Sequence, residues 1–143
     1  PSAASAVTKR RIGGSVANTR TILVVDDEPD VVAFLETTLK AEDFQVLVAY
    51  DGISALDICS TEKPDLVLLD IMMPMMSGYE VCEQVKANPL TQHIPVLFLS
   101  SAHTPEARAQ SFRVGAVELI KKPFLPKELL AQIRRHLPRD DEF

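Results

Sequence analysis

A chain of 143 residues, 46% apolar and 24% charged, has room for one compact core, and is too short for two large domains and too apolar for wholesale disorder. The net charge of −5 is uneven: Lys9, Arg10, Arg11 and Arg20 stand in residues 1–20 without an acid, and with that +4 set aside the remainder carries −9, which disfavours direct binding to nucleic acid or anionic lipid. No apolar run approaches the ~20 residues of a bilayer span and no secretory core opens the chain, so the expectation is a cytoplasmic protein without membrane contact.

Residues 1–20 are small, polar and basic, with a Gly13-Gly14 pair and no sustained periodicity; they read as a flexible basic tail or linker. From Thr21 short apolar runs alternate with longer amphipathic ones. The runs Ile22 to Val25, Phe44 to Val48, Leu66 to Leu69, Val96 to Leu99 and Val117 to Ile120 have strand length. Between them Val31, Phe34, Leu35, Thr38 and Leu39, then Ile53, Leu56 and Cys59, then Val81 and Val85, recur at helical spacing and predict one buried stripe per helix. Thr104-Pro105 reads as a helix start and Gly115 as a stop, while Pro126 opens a last helix with Leu129, Leu130, Ile133 and Leu137 inward. The body is thus residues 21–138, and 139–143 form a short C-terminal tail. Cys59 and Cys82 each sit in a helical segment with no zinc-type neighbours, and read as buried reduced thiols.

Five strands alternating with five helices predict an α/β doubly wound fold, a parallel sheet with helices on both faces, because each parallel strand needs a crossover. In such sheets functional groups gather where the strands end at their carboxyl tips. Here the tips carry Asp26-Asp27-Glu28, Asp70, Ser100-Ser101 and Lys121-Lys122-Pro123. Taken singly, each has an ordinary reading: the Asp pair as a helix cap, Asp70 as a turn residue, Ser100 as a loop hydroxyl, Lys122 as a solvated charge. Their coincidence at successive tips favours one site. Three converging carboxylates repel unless a cation sits among them, and an all-oxygen set favours magnesium over zinc or copper. Asp27 and Asp70 are the preferred direct ligands, with Asp26 acting through water. Lys122 would supply a fixed positive charge, and Asp70 would be the attacking carboxylate in a phosphoryl transfer.

The runs Val24-Val25-Asp26-Asp27-Glu28, Leu69-Asp70-Ile71-Met72-Met73-Pro74 through Gly78, Pro95 to Ser100, and Lys122-Pro123-Phe124 together resemble the receiver domain of two-component response regulators, from about Thr21 to Leu137. The resemblance implies the flavodoxin-like, CheY-like strand order 2-1-3-4-5. It implies Asp70 as phosphorylation site, Asp26 and Asp27 as the acidic magnesium pocket, and the Met72 backbone carbonyl as a further metal ligand. The donor would be a histidine kinase or histidine phosphotransfer protein. Ser100 would turn inward to the phosphoryl oxygen beside Lys122, and the Lys122-Pro123 peptide would be cis. The fourth helix, fifth strand and fifth helix would form the face for a downstream effector, an output domain or a second copy in a homodimer. Strand five commonly carries Tyr or Phe at the switch position, where Leu119 stands here, so an aromatic-rotamer switch is not expected.

Met72 and Ala102, two residues beyond Asp70 and Ser100, cannot orient an attacking water by a strong hydrogen bond, so slow self-dephosphorylation is expected. Three other readings compete. A haloacid-dehalogenase-type phosphatase would need an Asp where Met72 stands; a phosphate-independent module would lack a pocket residue; a flavin or nucleotide binder would show a glycine-rich loop after strand one. The expectation is therefore a phospho-acceptor signalling domain that assists its own phosphoryl transfer and dephosphorylation, not an enzyme with a separate substrate. No output domain is expected within the chain, which reads as a stand-alone receiver or as a piece of a larger regulator or hybrid kinase.

Overall fold

The structure, a computed structural model, describes residues 11–12, 15–16 and 19–138; the rest of the basic tail, and residues 139–143, lie outside the described residues. Within that tail Arg11–Ile12 pairs antiparallel with Ser15–Val16. The body runs β1 (Thr21–Val25), α1 (Pro29–Lys40), β2 (Gln45–Ala49), α2 (Gly52–Glu62), β3 (Leu66–Asp70), α3 (Gly78–Ala87), β4 (Val96–Ser100), α4 (Pro105–Arg113), β5 (Glu118–Lys121) and α5 (Pro126–His136). The five strands form one parallel sheet in the order β2-β1-β3-β4-β5, with Val25 opposite Leu69, Asp70 opposite Leu99 and Ser100 opposite Lys121.

Successive residues of a strand point to opposite faces, and this alternation builds two cores from the same apolar runs. Ile22, Val24, Leu66, Leu68, Leu97 and Leu99 meet Val32, Leu35 and Leu39 of α1 and Leu129 and Ile133 of α5. Leu23, Val25, Val67, Leu69, Val96 and Phe98 meet Ala55 and Cys59 of α2 and Val81, Cys82 and Val85 of α3 on the other face. Strands β3 and β4 are buried along their whole length, and each large aliphatic side chain so removed from water contributes about 1.5–3 kcal/mol. That rigid slab aims its carboxyl tips at one rim.

Local chemistry sets the helix ends. Asp51 accepts from the Ser54 amide at the start of α2, Ser77 and Glu80 form a reciprocal capping box on α3, and Thr104 accepts from the Ala107 amide with Pro105 in the first turn of α4. Gly115, at φ 105°, turns the chain after α4 in a conformation that side chains with a Cβ rarely adopt. The Lys122-Pro123 peptide is cis.

Two expected stripe residues face outward instead. Phe34 is 46% exposed, because Val32, Leu35 and Leu39 take the sheet-facing positions of α1, and its ring lies 6.1 Å from that of Phe124 at the edge. Ile53 is 70% exposed. Helix α2 packs through Gly52, Ala55 and Cys59, and a Cβ on Gly52 would stand 2.8 Å from the Met76 sulfur and 2.9 Å from Val81, so only its small face fits against α3. Cys59 and Cys82 are free and buried, and burial pushes both thiols up to about 11.

Gly78 fixes how α3 leaves the rim. A Cβ there would lie 2.3 Å from the Asp70 carbonyl oxygen and 2.9 Å from the Ile71 Cα, while its amide donates to the Ile71 carbonyl at 2.8 Å. Because backbone rather than a flexible side chain blocks the space, Gly78→Ala is expected to destabilise the fold by about 2–4 kcal/mol in urea denaturation. An unchanged midpoint would contradict this packing.

Candidate functional site

The sheet register delivers the polar tips to one place. Asp26 follows β1, Asp70 ends β3, and Ser100 ends β4, with Lys122 one residue past β5. The Lys122 amide donates to the Ser100 carbonyl at 2.8 Å, which extends the β4–β5 pairing by one step and holds Lys122 above the rim. One carboxylate oxygen each from Asp26, Asp27 and Asp70 lies within 4.8 Å of the others. Lys122 Nζ donates to Asp26 Oδ2 at 2.9 Å and to Asp70 Oδ1 at 3.4 Å, with Glu28 Oε1 at 4.0 Å.

Burial decides the electrostatics. Asp26 is fully buried and Asp70 nearly so, whereas Asp27 stands closer to solvent. Both Asp26 oxygens are engaged, Oδ1 by the Glu28 amide at 2.9 Å and Oδ2 by Lys122. Burial, reinforced by the neighbouring Asp26 charge, pushes the Asp70 carboxyl up to about 6 despite Lys122 and the Met72 amide. Burial alone would disfavour the Lys122 ammonium, but its hydrogen bond to Asp26 and the charges of Asp70 and Asp26 outweigh that and hold its pKa above the ordinary value. One ammonium cannot neutralise three carboxylates, so the cluster retains an unmet demand for positive charge. Its donors are oxygens only, a set that fits a hard divalent cation.

An open cleft of about 230 Å³ lies over the cluster, lined by Asp27, Glu28, Asp70, Met72, Ser101 and Lys122. Asp26, Asp27, Asp70, Lys122 and Met72 are therefore gathered as expected. The Ser100 hydroxyl donates to the Ala102 carbonyl and accepts from the Ala102 amide, both at 3.0 Å, and Ser101 lines the cleft. Glu28 and Ser101, named at the strand tips from the sequence but given no role there, also line the cleft. Leu119 is buried on β5 among the α2–α3 side of the core, and His103, from the loop after β4, approaches its carbonyl oxygen at 3.4 Å. No motif marked His103. Beside the cleft, Val31, Phe34, Pro123 and Phe124 form a largely apolar groove of about 470 Å³ that shares Lys122 and Ser101 with it.

A family model described as the response regulator receiver domain matches residues 22–134. A probable cyclic di-GMP phosphodiesterase of Vibrio cholerae is 46% identical over 117 residues, 82% of this chain but 26% of that protein, so the chain spans about a quarter of its length. Among solved structures, chemotaxis protein CheY4 of Vibrio cholerae superposes with a TM-score of 0.80 at 30% identity, covering 83% of this chain and 99% of that one. The receiver domain of a Pseudomonas aeruginosa sensor histidine kinase, whose structure holds a magnesium ion in its active-site cleft, superposes with a TM-score of 0.77 at 25% identity, covering 82% and 96%. Among the described residues no helix is long and apolar enough to cross a membrane.

The raised Asp70 pKa carries a stability consequence for the metal-free protein. The folded state binds this proton more tightly than the unfolded chain, so the penalty is absent below the ordinary value of 3.8, grows as pH rises, and is complete above about 6. Asp70→Asn is therefore expected to be the more stable protein in EDTA at pH 7, by about 2 kcal/mol, with the gap shrinking toward pH 4. Urea denaturation at both pH values checks it; a gap that does not depend on pH would contradict the assignment.

Proposed function

The chain belongs to the response regulator receiver family of two-component signalling systems, and from that premise we propose that it is a switch set by a phosphoryl group on Asp70. The observation that carries this reading is the convergence of Asp26, Asp27 and Asp70 with Lys122 beneath an open cleft. The Asp70 carboxylate, largely ionised at pH 7, attacks phosphorus in line while the bond to a donor imidazole nitrogen breaks and that nitrogen keeps the electron pair. Lys122 already reaches Asp70 and is placed to hold an oxygen of the arriving group. A magnesium ion, when bound, supplies the remaining neutralisation of phosphoryl charge; Asp27, Asp70 and the Met72 carbonyl would hold it directly. Asp26, whose two oxygens are already engaged, would act through water.

Ser100 completes the switch by exchanging its two contacts with Ala102 for the phosphoryl oxygen, which frees the loop after β4. His103 in that loop gives it a route to the Leu119 carbonyl, so the signal needs no aromatic ring on β5. Helix α4 buries only Ser111, a light attachment that suits a movable output face of α4, β5 and α5. A histidine kinase or histidine phosphotransfer protein is the donor in this reading, with the Phe34–Phe124 groove as its footing, and an effector, an output domain or a second copy receives the signal. The domain is a phospho-acceptor that works in the cytoplasm.

Incubation with acetyl phosphate and magnesium is expected to add one phosphoryl mass to the wild type. Asp70→Asn or added EDTA should abolish the gain. The thioether of Met72 and the methyl of Ala102 offer no strong acceptor to an attacking water, so the label should decay slowly, and Met72→Asn should hasten its loss. Modification of Asp70→Asn to the same extent, or decay within seconds that Met72→Asn leaves unaltered, would overturn the respective claim.

A further inference from the structure

All four methionines of the chain, Met72, Met73, Met75 and Met76, fall within one five-residue stretch of the loop that follows Asp70. Their surroundings divide them. Met73 is buried in the core, and Met76 is packed between Gly52 and the rest of that core. Met72 is 69% exposed and Met75 fully so. Of the exposed pair, Met72 lines the cleft with Asp70 and Lys122, whereas Met75 is not part of that lining. The two cysteines offer no competing target, since both are buried and protonated.

We propose that Met72 is an oxidation site through which peroxide-class oxidants shorten the life of a phosphoryl group on Asp70; the regulatory half rests on the phospho-acceptor reading above. In the modification a sulfur lone pair attacks one peroxide oxygen, the S–O bond forms and the O–O bond breaks. Sulfur is oxidised by two electrons, and the departing oxygen collects a proton and leaves as water, so methionine and hydrogen peroxide give methionine sulfoxide and water. A thioether is a poor acceptor, but a sulfoxide oxygen is a strongly polar one. At the mouth of the cleft it can accept a hydrogen bond from a water and hold that water against the phosphorus, supplying the alignment that the unmodified side chain lacks. Exposure makes Met72 accessible, and its position makes the change felt at Asp70; Met75 has only the first property.

The test uses the full chain. Dilute hydrogen peroxide, quenched with catalase, is followed by peptide mapping, and sulfoxide is expected at Met72 and Met75 well before Met73 and Met76. Treated and untreated samples are then labelled with acetyl phosphate and magnesium. The phosphoryl half-life of the treated wild type should be shorter by about two- to tenfold, the range one added hydrogen bond supplies. The treated-to-untreated ratio should return to one in Met72→Leu, persist in Met75→Leu, and be reversed by methionine sulfoxide reductase. Equal oxidation of all four methionines, or a ratio in Met72→Leu equal to that of the wild type, would overturn the proposal. If untreated wild type takes up no phosphoryl group, the phospho-acceptor reading fails and the regulatory half with it; if it labels and the ratio is one, the oxidation proposal alone fails.

Discussion

Like charge held against like charge at the rim of an otherwise apolar slab is the constraint on which the rest of this structure depends. Asp26 and Asp70 are buried, Asp27 stands beside them, and one ammonium, Lys122, reaches the two buried acids. Such a cluster is unfavourable in isolation, and a protein under selection for stability alone would replace one acid with an amide. Its position at the mouth of an open cleft is what a site for a divalent cation and an anionic group requires.

The fold supplies the rigidity that keeps those charges together. Each acid follows or ends a strand buried on both faces, so its backbone position is fixed by the ladder and by two helical layers. Lys122 is tied to β4 through the Ser100 carbonyl, and Gly78 lets α3 start in direct contact with the backbone of Asp70. The exposed parts are set elsewhere. The loops after β3 and β4 carry Met72, Met75, Ser101 and His103, all exposed, while the acids beneath them are held by the strands.

Much of this was legible from residue order. Apolar runs placed all five strands to within about a residue because a sheet buried on both faces leaves an uninterrupted apolar signal. Thr104-Pro105 and Gly115 marked the ends of α4 because their local chemistry does not depend on distant packing. The acids and Lys122 were legible because strand tips of a parallel sheet share one rim. What escaped was side-chain direction. Helical spacing alone could not tell that α1 turns Val32 inward and Phe34 to its flank, or that the close approach at Gly52 leaves Ile53 in solvent. Beyond a strand end the alternation that fixes facing is lost, so spacing did not show that Ser101 lines the cleft or that His103 approaches the Leu119 carbonyl.

The central claim is that the three carboxylates act as one cation site. Magnesium titration followed by backbone amide NMR tests it most directly. A saturable response of one ion per chain, with shifts concentrated at Asp26, Asp27, Asp70 to Met72 and Lys122, is the predicted result. Shifts spread over the acidic surface without saturation, or an unchanged response after Asp27→Asn with Asp70→Asn, would contradict it.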